Sequence, residues 1–179
     1  KNMRGFFGIG LENSSKPMNA GNLFRTAHAF GANFIFTVNA KYSVREAKSD
    51  TSSAPLNIPW YNFECAEKLK LPEGCSLVGV EILDEAVEMP VFKHPLNAAY
   101  ILGPELGNLS PEILERCKYF IKIPTHFSLN VATTGAIILY DRIRSMGNFG
   151  KRPVSTLSEP LPPLKHVHGD LPFSRNRKK

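Results

Sequence analysis

Five short stretches of this chain are apolar on nearly every residue rather than on every second one: Gly5–Gly10 (GFFGIG), Asn33–Val38 (NFIFTV), Ser76–Ile82 (SLVGVEI), Ala98–Leu102 (AAYIL) and Tyr119–Ile123 (YFIKI). A strand with no polar face must be covered on both sides, which is the condition of a parallel sheet carrying helices. Helical patterns fall between these runs. Asn19 is expected as the N-cap of a helix with Leu23, Phe24, Ala27 and Phe30 at helical spacing and Gly31 as its stop. Ser110 precedes Pro111 and Glu112, the signature of a capped helix over Pro111–Cys117. Leu129–Met146 is a long helical segment whose arginines sit at its far end, as the helix dipole favours. Phe63–Leu71 is expected as a short helix closed by Pro72 and Gly74, Glu12–Pro17 as loop, and Lys41–Pro59 as loop with a helical turn around Val44–Lys48. Strands alternating with helices predict an α/β fold on a mostly parallel sheet.

Composition narrows the function classes. With 42% hydrophobic and 21% charged residues the 179-residue chain buries a real core, and its 13 Gly and 14 Pro have no period. No apolar run approaches the roughly 18 residues of a membrane span, and no signal peptide is legible, so no membrane partner is expected. Cys65, Cys75 and Cys117 show no CxxC spacing. A disulfide framework or zinc knuckle is therefore not expected, and a reducing cytoplasm is the simplest location. The charge is uneven. Residues 1–150 carry a net +1, whereas 151–179 carry a net +5 together with Pro153, Pro160, Pro162, Pro163 and Pro172. The expected organisation is a folded body over 1–150 and a basic, proline-rich arm over 151–179. Such an arm suits either a polyanion or plain solubility.

Several motifs fail. Gly8-Ile9-Gly10 lacks the third glycine of a dinucleotide fingerprint, and neither GxxxxGK[ST] nor GxSxG occurs. The five histidines are scattered; His166 and His168 are a weak metal pair in the arm, and no metal is assigned.

Three strand-end segments concentrate compact polar groups. Residues 19–31 place Asn22 and Arg25 on neighbouring positions of one helix face, where an arginine serves an anion or an ordinary surface ion pair. Residues 100–110 run from a strand into a Gly-Pro turn with Glu105 at its carboxyl end, the place where open α/β sheets bind ligands, or merely an exposed turn glutamate. Residues 121–132 set Ser128 and Asn130 at a helix entrance.

In order, these segments read NxGNxxRxAxAFG, LGPExGxLS and IPxxxSLNVAxxxxxxLYD. The ordered triple resembles the SpoU (TrmH) family of RNA ribose 2′-O-methyltransferases, in the SPOUT superfamily, over roughly residues 5–147. The resemblance implies a mostly parallel sheet with helices on both faces and a C-terminal trefoil knot. It implies S-adenosyl-L-methionine as methyl donor, held near Val80, Leu102, Gly103, Ile123, Ser128 and Leu129, with Glu81 near the position a ribose-binding carboxylate would take. Arg25, Asn19, Glu105 and Asn130 match the family's catalytic positions.

A guanidinium holds its proton too firmly to be an ordinary base, so Arg25 is expected to bind the phosphate beside the target ribose and align its hydroxyl. The resemblance further implies a homodimer acting on RNA, with tRNA favoured over rRNA. Arg25 and the arm residues Lys151, Arg152, Arg175 and Arg177 are the expected RNA contacts. The rival expectation is a non-catalytic RNA-binding protein that retains the fold; intact Asn19, Arg25, Glu105 and Asn130 argue against it.

Overall fold

A computed structural model describes residues 5–41, 50, 53–104 and 107–147. Seven strands form one sheet: β1 (Phe6–Glu12), β2 (Phe34–Val38), β3 (Trp60–Phe63), β4 (Ser76–Val80), β5 (Val87–Glu88), β6 (Asn97–Leu102) and β7 (Tyr119–Lys122). Their spatial order is β3-β2-β1-β6-β4-β7-β5, and every adjacent pair is parallel. All carboxyl ends therefore lie along one edge. The helices are α1 (Pro17–Ala29), α2 (Ala54–Asn57), α3 (Pro111–Arg116) and α4 (Val131–Met146).

The continuous apolar character of the strands reflects burial on both faces. On one face Phe7, Ile9, Leu11, Ile35 and Tyr100 pack with Leu23, Phe24 and Ala27 of α1, Ala54 of α2, and Ile138 and Leu139 of α4. On the other, Phe34, Phe36, Leu77, Ala99 and Ile101 pack with Leu69, Leu109 and Ile113 of α3. Helices thus cover both faces. Gly8 and Gly10, the pair that failed as a nucleotide fingerprint, are packing glycines. They stand opposite Phe34 and Phe36 in the β1–β2 register, and a Cβ on either would lie within 2.6 Å of the facing ring.

Helix α4, of 16 residues, is about 24 Å long and runs from the carboxyl edge of the sheet back to its amino edge. Its far end is pinned there. Arg142, 1% exposed, donates to the carbonyls of Pro95 and Leu96 at 2.7 Å each and to the Tyr100 hydroxyl at 3.1 Å. His94 joins the same cluster, 2.6 Å from the Tyr100 hydroxyl and 2.9 Å from Asp141. Burial pushes the Tyr100 phenol up to about 12, although the Arg142 charge acts against it. Gly135 brings α4 close to α1: a Cβ there would lie 2.2 Å from Leu23 Cδ1.

Five expectations change. Asn19 is not the N-cap of α1; the helix starts earlier, with Lys16 at the cap position and Pro17 next, leaving Asn19 inside the first turn. Proline at the first helical position has its angle preset and needs no partner for an amide it lacks, so it sets the start. Glu12 is the last residue of β1 rather than loop. Phe63–Leu71 is not a helix: Phe63 ends the edge strand β3, and one 3₁₀ turn spans Ala66–Lys68. Finally, Lys41–Pro59 is not loop throughout its described part: Ala54–Asn57 forms the short helix α2, with Pro55 in its first turn; and β5, only two residues long, gives too short a pattern to read. The helical turn expected around Val44–Lys48 and the arm 151–179 lie outside the described residues. Among the described residues no helix is long and apolar enough to cross a membrane, and no His/Cys/Asp/Glu group is arranged to hold a metal ion.

Candidate functional site

The carboxyl edge of a parallel sheet is where its loops leave room for a ligand. A cavity of about 710 Å³ opens there, over the ends of β4, β6 and β7. Val80, Leu102, Gly103, Ile123, Ser128 and Leu129 all line it, as do Asn19 and Asn130. Register explains the convergence: Val80 pairs with Leu102 and with Ile121, so three neighbouring strands finish at nearly one level.

Asn130 joins two of the segments. Its Oδ1 caps α4, accepting from the amides of Ala132 at 2.9 Å and Thr133 at 3.4 Å. Its Nδ2 donates to Asn19 Oδ1 at 3.1 Å, so one carboxamide fixes a helix start and binds residues 111 apart in sequence. On the loop before α4, the Thr125 hydroxyl donates to the Phe127 carbonyl at 2.8 Å.

Two glutamates tie down the segment after β6. Glu81 lines the cavity, and its carboxylate accepts from the amides of Ile82 and Leu109, each at 2.9 Å. Glu12, outside the lining, accepts from the Ser110 amide at 2.8 Å and from the Ser110 hydroxyl. That hydroxyl caps α3 as the sequence predicts, accepting from the Ile113 amide at 3.3 Å. Nearby, burial first and the Glu12 charge second push the Cys117 thiol up to about 12, which keeps it from acting as a nucleophile.

Arg25 stands apart. It is exposed on α1, six residues beyond Asn19, or about 9 Å along the axis, and it does not line the cavity. Glu105, Lys151, Arg152, Arg175 and Arg177 lie outside the described residues. Sequence reasoning missed Lys16, Lys122 and Thr134 of the lining, together with the buried Glu12. A carboxylate closing an apolar strand was the one available signal for Glu12.

The sequence is 27% identical over 151 residues to a 23S rRNA (uridine(2479)-2′-O)-methyltransferase of Streptomyces viridochromogenes, covering 78% of this chain and 53% of that protein. It is 25% identical over 138 residues to the mouse tRNA (guanosine(18)-2′-O)-methyltransferase TARBP1, covering 72% of this chain but only 9% of that protein. The fold matches the SpoU methyltransferase AviRb of Streptomyces viridochromogenes, solved with the cofactor AdoMet. There the TM-score is 0.68 at 24% identity, over 78% of this chain and 57% of that one. A profile of the SpoU rRNA methylase family matches residues 7–140, a span that holds β1 through most of α4 and every described wall of the cavity. With the three segments in order and converging on one cavity, this chain belongs to the SpoU rRNA methylase family.

Proposed function

We propose that the chain transfers a methyl group from S-adenosyl-L-methionine to a ribose 2′-hydroxyl of RNA, with tRNA the favoured class. The observation that carries this reading is the meeting of the Asn19, Gly103 and Asn130 segments around one cavity. The lining suits the donor. Val80, Ile82, Leu102, Ile123, Leu129 and Val131 offer apolar surface for a flat heterocycle, and Asn19, Ser128, Asn130 and Thr134 offer hydrogen bonds. Its volume lies within the usual range for cofactor sites.

Bound there, S-adenosylmethionine supplies an electrophilic methyl group on a sulfonium. The protein's task is alignment, because a 2′-hydroxyl is a poor nucleophile unless held in line behind that methyl group. Asn130, immobilised by its own cap, and Asn19, immobilised by Asn130, keep the two helix entrances fixed at the cavity. Arg25 binds the phosphate beside the target ribose through its planar fork.

Arg25 lies outside the cavity of its own chain, which favours a homodimer in which it serves the neighbouring cavity. Met18, 68% exposed beside Asn19, and Phe127, 76% exposed beside Ser128, are apolar surface that a second copy would cover. The trefoil knot is part of this proposal through the family resemblance, and the connection from β6 past β4 to β7 is compatible with it. The basic residues of 151–179 would add phosphate contacts that weaken with salt.

The test is Arg25→Lys, which keeps the charge and loses the fork. Turnover is expected to fall by about tenfold or more while S-adenosylhomocysteine binding stays within about twofold. Near-full turnover would refute the role given to Arg25, and no thermal shift with S-adenosylhomocysteine would refute the enzyme. Ribose-methylation mapping in total RNA from cells lacking the protein distinguishes tRNA from rRNA.

A further inference from the structure

Glu12 is a carboxylate in the interior, 2% exposed, and among the described residues no cation pairs with it. Burial of a carboxylate without a cation is unfavourable unless hydrogen bonds satisfy its oxygens. Its carboxylate is spent entirely on Ser110, 98 residues away: one oxygen takes the amide at 2.8 Å and the other takes the hydroxyl. Because the hydroxyl gives its proton to Glu12, its lone pairs stay free for the Ile113 amide that starts α3.

The adjacent amide, Leu109, goes to Glu81 at 2.9 Å. Glu12 ends β1 and Glu81 directly follows β4, and these two strands are the neighbours of β6. The segment leaving β6 is thus tied laterally to both flanking strands through consecutive amides. It also folds back tightly on its own start, since a Cβ on Gly103 would lie 3.2 Å from the Leu109 nitrogen. Gly103, Pro104, Gly107 and Asn108 of that segment form one wall of the cavity.

We propose that Glu12 is a positioning residue for donor binding: it touches no ligand, and it holds the wall formed by Gly103, Pro104, Gly107 and Asn108 at the spacing the methyl donor requires. This rests on the methyltransferase reading above. Glu12→Gln keeps the shape but loses the charge, and the oxygen that accepted from the Ser110 hydroxyl becomes an NH2 that can only donate to it, so the hydroxyl proton loses its partner and two charge-assisted bonds become weaker neutral ones.

The experiment measures calorimetric affinity for S-adenosylhomocysteine, amide hydrogen exchange of residues 107–110 in the ligand-free protein, and methyl transfer at saturating donor. For Glu12→Gln we expect affinity weaker by about tenfold, faster exchange at Leu109 and Ser110, and a maximal rate within about threefold of wild type. Ser110→Ala keeps the amide bond but removes the hydroxyl's bond to Glu12 together with its cap on the Ile113 amide, so it should move the first two readouts the same way and also speed exchange at Ile113; it decides the matter if Glu12→Gln does not fold. Unchanged exchange and affinity within twofold of wild type would overturn the proposal, as would a loss confined to the maximal rate. If the wild type itself does not bind S-adenosylhomocysteine, the methyltransferase reading and the donor role fall together. The exchange data would then show separately whether Glu12 clamps the wall.

Discussion

Replacement of Asn130 separates the two tasks that its single carboxamide performs. As N-cap of α4 it accepts from two amides, and such caps are worth about 1 kcal/mol, with a range of roughly 0.5–2. As the link to Asn19 it makes one exposed hydrogen bond of 3.1 Å, worth about 0.5–1 kcal/mol. Serine caps as well as asparagine but is too short to reach Asn19, so Asn130→Ser should lose only the link. Asn130→Ala should lose both, about 1.5–2 kcal/mol in all. At roughly 2–4 °C per kcal/mol for a domain of this size, the alanine variant should melt about 3–8 °C below wild type and the serine variant about 1–4 °C below. A double-mutant cycle completes the test. Asn19→Ala should couple to Asn130 by about 0.5–1 kcal/mol in the wild-type background and by nothing measurable once Asn130 is serine. Urea denaturation supplies the free energies and calorimetry the affinity for S-adenosylhomocysteine. If Asn130→Ser is as unstable as Asn130→Ala, the cap contributes little and the division of roles is wrong.

Two further outcomes follow from the packing and the buried polar cluster. Gly10→Ala would place a Cβ 2.5 Å from the Phe36 carbonyl oxygen, which is backbone and cannot swing aside, so we expect destabilisation of about 1–3 kcal/mol or more by urea. Gly74→Ala, whose nearest neighbour would be 3.8 Å away at a φ of +72°, should show only the backbone strain, about 1 kcal/mol; equal losses at the two sites would contradict the packing argument. For His94, burial pulls the ring below its ordinary 6.5 even though the bond to Asp141 acts the other way. The native state therefore resists a proton that the unfolded chain accepts below that value. Stability is fully present above pH 6.5 and is lost as the pH falls beneath it. The urea midpoint of wild type should drop more between pH 7.5 and 5.0 than that of His94→Gln, with Tyr100, Asp141 and Arg142 facing the ring in both. Identical drops would remove His94 from the account.

Where burial on both faces leaves a run of apolar residues, the chain itself announces the element: β1, β2, β4, β6 and β7 were all legible within two residues at each end. Ser110 was legible as a cap because capping is local, settled within one turn. Asn19 misled because two local signals competed and Pro17 won. The edge strands β3 and β5 were illegible, since half-exposed residues such as Tyr61 and Val87 carry no continuous apolar signal. The same limit applied to the site. The family resemblance carried by the three ordered segments named part of the cavity lining as candidates, but missed Lys16, Lys122 and Thr134 and could not say which side chains would meet.

What the amino-acid order determined by itself was therefore the class of fold and the helix start at Ser110, because short-range periodicity and capping need no distant partner; the candidate walls of the cavity came from the resemblance that the three ordered segments carry. Only the tertiary structure decided that Asn130 holds Asn19, that Glu12 and Glu81 take consecutive amides, that Gly8 and Gly10 make room for two phenylalanine rings, and that Arg25 stands outside its own cavity. The first three depend on strand register and on how α1 and α4 pack, which bring together groups up to 111 residues apart, and the last on the face of α1 that packing turns inward. No local pattern encodes either.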